Sequence, residues 1–264
     1  MMAQSVETQV EMTLRLLKQK STRRDYANLS RFGITAPNAF GVSMANVQAI
    51  AKRLGRSHEL AAALWDTGWY EARMLTSFID EPDRVTSAQM DRWCREFDNW
   101  AICDTLCFHL FDRTPFAWTK VAEWSRKNEE FQKRAAFALI ASLALHDKHA
   151  ADRQFLQGLS LIEGAATDPR NFVKKGVSWA LRVVGRRNQR LNKAAADVAR
   201  RLSSSPDPAA SWIGRGALKE LSSQTVANRL DASERKTKPS AHQPRKATNS
   251  KKRASASSAK GRSR

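Results

Sequence analysis

The chain of 264 residues carries 45 Lys and Arg against 26 Asp and Glu, a net charge of +19 that points to a polyanionic partner. Three cysteines (Cys94, Cys103, Cys107) are too few and too odd a number for a disulfide framework, and no stretch is apolar enough to cross a bilayer. The opening MMAQSVETQVE lacks both a basic segment and an apolar core, so no secretory leader is expected; the reading is a cytoplasmic protein, nucleoid-associated in a prokaryote.

In chain order, SMANVQAIAKRLG (43–55), SHELAAALW (57–65), FQKRAAFALIASLAL (131–145), FVKKGVSWALRVVG (172–185) and NKAAADVARRL (192–202) return apolar residues every three or four positions. Alternating Val, Ile and Thr runs are missing, so the body is all-α. Ser43 and Ser57 stand where N-caps belong, and Gly55 and Gly185 stand where C-terminal glycines belong. Residues 1–231 hold every tryptophan and form one domain; residues 232–264 hold 11 bases, one acid (Glu234) and no aromatic, and are expected to be a disordered basic tail.

Within the body an aromatic followed three residues later by a base recurs as YEAR (70–73), FQKR (131–134), FVKK (172–175) and WIGR (212–215). The last two steps are 41 and 40 residues, the period of HEAT or armadillo arrays, and the first step of 61 leaves room for a further diverged unit around FDNW (97–100). Each segment is expected to open an inner helix, with its aromatic packed between repeats. Its base, Arg73, Arg134, Lys175 or Arg215, would join a column of positive charge along a curved solenoid.

The candidate chemistry lies on two of these helices. Lys175, Trp179 and Arg182 share one stripe, which suits a sugar-phosphate backbone and equally suits a core tryptophan beside solvated charges. Trp100 and Asp104, four residues apart, share a helical face. An aspartate repels the phosphates a basic groove attracts, so Asp104 either caps a helix or pairs with an arginine, or it stabilises developing positive charge such as an oxocarbenium sugar. Cys103 and Cys107 are read as small core residues, and His146 and His149 as loop residues. No glycine-rich phosphate loop, HExxH helix or GxSxG elbow occurs, leaving nucleotide hydrolysis, zinc proteolysis and serine esterase chemistry without support.

Taken together, LWDTGWYEARMLTSFI, FDNWAICD, the FQKR helix and FVKKGVSWALRVVG, in that order between about Gly41 and about Leu221, resemble the AlkD-like DNA alkylation repair glycosylases. The resemblance implies HEAT-like helical repeats around a concave basic groove that holds double-stranded DNA. It also implies removal of cationic purines alkylated at N3 or N7 without base flipping, and without a metal or cofactor. It makes Asp104 the catalytic carboxylate, sets Trp100 and Trp179 against the deoxyribose, and puts Arg134 on the nearby phosphate. Arg73, Lys175, Arg182 and Arg215 would add DNA contacts, and the protein would act as a monomer. Ala101 stands where many relatives have an acid, and the basic tail is not a family feature. The alternatives are a noncatalytic HEAT-like protein that binds distorted or branched DNA, and a solenoid whose groove takes an acidic peptide.

Overall fold

The computed structural model describes residues 5–237, and among these it contains helices and turns but no strand. The helices are α1 (Val6–Gln19), α2 (Arg23–Arg31), α3 (Met44–Leu54), α4 (His58–Asp66), α5 (Tyr70–Ile79), α6 (Ser87–Arg95) and α7 (Trp100–His109). They continue as α8 (Ala117–Trp124), α9 (Glu130–His146), α10 (Asp152–Gly164), α11 (Asn171–Gly185), α12 (Gln189–Ser203), α13 (Pro208–Leu221) and α14 (Gln224–Thr237). Among the described residues no helix is long and apolar enough to span a membrane.

Local chemistry sets the starts. The hydroxyls of Ser43 and Ser57 accept from the amides of Asn46 and Leu60, as expected, and Asn99 accepts from both Ala101 and Ile102 to begin α7. Asp207 caps α13, with Pro208 in its first turn. Gly55 follows α3 with a φ of 75°, a conformation that costs glycine little.

Gly185 departs from expectation, because it is the last residue of α11 rather than a left-handed residue beyond it. Its need for a hydrogen comes from packing: a Cβ there would lie 2.6 Å from Leu221 Cδ2 and 3.0 Å from Ala195 Cβ. Gly214 is tighter, since a Cβ would meet Ser203 N at 2.2 Å, so α13 crosses α12 in backbone contact.

Packing sorts the helices into two rows. α5, α7, α9, α11 and α13 touch in that order along one row, and α4, α8, α10 and α12 back them. Helix α9 lies at the centre, against α7, α8 and α11, and is buried without a break from Arg134 to Ala144. Tyr70 opens α5, while Phe131 and Phe172 stand second in α9 and α11, as the repeat pattern predicts; α7 occupies the extra unit between α5 and α9. WIGR breaks the register: Trp212 lies a turn inside α13, which rotates its ring out of the core to 46% exposure. The boundary expected after residue 231 falls inside α14, and the remainder of the tail, 238–264, lies outside the described residues.

The loops entering α9 and α11 are tied by charge. Asp168 accepts from Arg170 Nη2 at 2.6 Å and from Lys133 Nζ at 3.3 Å, while Arg170 also reaches the Asn128 carbonyl. The Arg170 hydrogen bonds, assisted by Lys133, hold the Asp168 carboxyl down at about 2, against 3.8 ordinarily.

Two predictions follow from this packing. Gly214→Ala should cost about 1–3 kcal/mol or more through overpacking, whereas Gly216→Ala, with nothing within 4 Å of its Cβ, should be neutral or stabilising. Equal effects in thermal melts would contradict the close crossing. A depressed carboxyl stabilises the fold above its unfolded value and loses that contribution as pH falls through about 2, so Asp168→Asn should destabilise by about 2 kcal/mol at pH 6. The gap to the unmutated protein should close between pH 3.8 and about 2; a gap constant over that range would contradict the clamp.

Candidate nucleic-acid interface and its carboxylate

Helix α7 carries different chemistry on two adjacent stripes, both turned toward α9. Cys103 and Cys107 are fully buried and donate weakly, at 3.6 Å each, to the Phe131 and Ala135 carbonyls of α9. Burial pushes the Cys107 thiol well above its ordinary range, which removes it as a nucleophile and bears out the core reading. The stripe beside it presents Trp100, Asp104 and Phe108 at successive four-residue steps.

Trp100 is half-buried, and its Nε1 donates to the Phe32 carbonyl at 3.0 Å, anchoring the ring to the end of α2. One turn on, Asp104 meets Arg134 side-on: Nε donates to Oδ1 at 2.8 Å and Nη2 to Oδ2 at 2.7 Å. The third arm, Nη1, donates to the Phe172 carbonyl at 2.7 Å, so one guanidinium joins α7, α9 and α11. The two side chains keep 17% and 8% of their surface, respectively. Burial raises the Asp104 carboxyl above the ordinary aspartate range, and the guanidinium opposes that rise.

Gly176 of α11 lies against this side chain, and a Cβ there would stand at contact distance, 3.4 Å, from Arg134 Cγ. Three residues later Trp179 stacks flat on Phe108, with centroids 4.9 Å apart and planes 9° apart. Trp179 is thus neither fully core nor free. Phe108 in turn takes the edge of His146, whose Nδ1 lies 2.6 Å from Asp112 Oδ2. His146 is the last residue of α9 and not the loop residue expected.

The expected column of bases is broken into two kinds. Arg73 is engaged: Nη2 donates to Glu96 Oε2 at 2.8 Å, and the guanidinium lies 4.7 Å from the centroid of the Trp65 ring. It holds α5 to α4 and to the end of α6, and Arg134 is engaged by Asp104 as described. Lys175 and Arg215 are exposed and, among the described residues, without an ion-pair partner. Arg182 stands between, half-buried and 3.1 Å from Glu220 Oε2. Asp104 and Arg134 are joined directly, Trp100 and Phe108 flank Asp104 on the same stripe of α7, and Trp179 reaches that stripe through Phe108; Lys175 and Arg182 share the α11 stripe of Trp179, and Arg73 lies outside. Sequence reasoning missed Phe108 and Gly176, although Phe108 continues the Trp100–Asp104 face by one more turn. Among the described residues no group of three or more His, Cys, Asp and Glu side chains converges as a metal site would require.

Comparison with known proteins agrees with this architecture. A solved structure described as "a new family of proteins related to the HEAT-like repeat DNA glycosylases with affinity for branched DNA structures" superposes with a TM-score of 0.70 at 18% identity. The match covers 84% of this chain and 95% of that one, and it shows a shared HEAT-like repeat fold. A designed armadillo repeat protein matches at a TM-score of only 0.30 and 14% identity, over 68% of this chain and 94% of its own. No curated protein matches. The family model for the DNA alkylation repair enzyme matches residues 13–221, most of the described chain. This chain belongs to the DNA alkylation repair enzyme family.

Proposed function

We propose that this protein hydrolyses the N-glycosidic bond of cationic N3- or N7-alkylated purines in duplex DNA, as a monomer, without flipping the nucleotide. The observation that supports the reading is the Arg134–Asp104 pair on α7 and α9, with Trp100 a turn before Asp104 and Trp179 stacked on Phe108 a turn after it. In a cationic alkylpurine the C1′–N bond is already weak, because its electron pair leaves into a positively charged ring and the base departs neutral. What remains is a positively charged, oxocarbenium-like sugar. A carboxylate beside it, flanked by indole faces, lowers the energy of that charge, and water adding to C1′ and losing a proton to solvent completes the hydrolysis. Arg134 has a second part: a DNA phosphate accepting from its Nη2 would take the place of Asp104 Oδ2 and leave that oxygen free for the sugar or the water. The unpartnered Lys175 and Arg215 supply sequence-independent phosphate contacts. The site of action is wherever the DNA is: the cytoplasm, and the nucleoid if the source is a prokaryote.

A noncatalytic binder of branched or distorted DNA is the second reading. It is favoured by the full engagement of both Asp104 oxygens by Arg134 and by the branched-DNA affinity described for the structurally similar protein.

Release of free purine from methylated duplex DNA, with no divalent metal added, separates the two. The first reading predicts release by the unmutated chain and a loss of about 100-fold or more in Asp104→Asn, with DNA affinity largely kept. Tight binding with no release from either protein would sink it.

A further inference from the structure

The pocket between α11 and α13 is not used by the chemistry above. It encloses about 450 Å³ and is lined by Ser178, Arg182, Trp212, Arg215, Gly216 and Lys219. Trp212 is one of few large apolar side chains left exposed, at 46%, and its ring makes a cation–π contact with Lys174, whose Nζ lies 5.1 Å from the centroid. Arg215 and Lys219 follow at helical spacing on the same face of α13, exposed and without ion-pair partners among the described residues. The nearest acid on that helix, Glu220, is neutralised from both sides: Arg182 reaches one oxygen at 3.1 Å and Arg186 the other at 3.0 Å. The pocket therefore combines a flat aromatic wall with an uncompensated positive rim.

That combination fits a nucleobase and the phosphates on either side of it. A large exposed indole is costly to leave wet, and with the Lys174 ammonium over the ring, Trp212 still keeps 46% of its surface. Inside an intact duplex each base face is covered by its neighbour, so away from a duplex end only an unpaired base can lie on Trp212. We propose that this pocket is a stacking site for an unpaired nucleotide of a DNA strand running on from the duplex in the groove. Trp212 takes the base, and Arg215 and Lys219 take its phosphates. The proposal rests on the DNA-binding part of the function proposed above and not on catalysis.

The test uses the full chain and fluorescence anisotropy with three labelled probes: a blunt duplex, the same duplex with a short 5′ single-stranded extension, and one with a 3′ extension. At a stacking contribution of about 1–3 kcal/mol per base, at least one extended probe should bind about tenfold more tightly than the blunt duplex. Trp212→Ala should abolish that preference and Trp212→Phe should keep most of it, both variants being checked for an unchanged thermal melt. Equal affinity for all three probes, or a preference that survives Trp212→Ala, overturns the proposal. Displacement of the extension by poly-glutamate as effectively as by single-stranded DNA also overturns it, in favour of an acidic-peptide site. Purine release by the same preparation is measured alongside. Preference without release sinks the glycosylase reading alone, and release without preference sinks the pocket alone.

Discussion

The bidentate contact between Arg134 and Asp104 is the interaction on which the rest of the structure depends. Its guanidinium reaches a carboxylate on α7 and a carbonyl on α11 from its own place on α9, and so fixes the relative setting of three inner helices. A charge pair in such a place is expensive to desolvate, and apolar side chains of similar volume would stabilise a solenoid core as well or better. Among the mainly apolar buried residues of α9 the pair stands apart, and the function proposed above would give it a use when a polyanion arrives. The arginine that neutralises Asp104 in the free protein is the group a phosphate would compete for.

The surroundings favour a reaction that needs little machinery. Trp100 is pinned by the Phe32 carbonyl and Trp179 by its stack on Phe108, so both rings are held in place before any ligand binds. Preorganised π faces and one carboxylate are weak tools for breaking a neutral glycosidic bond. They are adequate for a leaving group that already carries positive charge, which is the kind of substrate proposed above. The C-terminal end is closely packed: Gly214 lets α13 lie against the backbone of α12, and Gly185 lets α11 take the side chains of Leu221 and Ala195.

Much of this was legible in the sequence because the signals were local. The 3.6-residue period, the Ser43 and Ser57 caps and the pairing of Trp100 with Asp104 on one face all depend on residues within a few positions of one another. The misreadings have a common physical origin in partners distant along the chain. Arg73 looked like a free base because Glu96 lies across a helix and a turn from it. The reading of Asp104 stayed divided between an arginine partner and a cationic sugar, because Arg134 is supplied by another helix. Gly185 looked like a helix terminator, since nothing nearby reveals that Leu221 packs against it. Trp212 was taken as inward-facing on the strength of a four-residue pattern, but that pattern sits a turn inside α13, and the rotation carries the ring to the surface.

The most direct measurement is a crystal structure of the protein on duplex DNA containing one 2′-fluorinated, N7-methylated purine nucleotide, whose glycosidic bond resists cleavage. The predicted result places the deoxyribose between Trp100 and Trp179, one Asp104 oxygen facing C1′, and Arg134 turned to a phosphate. A complex in which Arg134 still holds both Asp104 oxygens, with the lesion seated away from Trp100 and Trp179, would contradict it and leave the concave row a binding surface without chemistry.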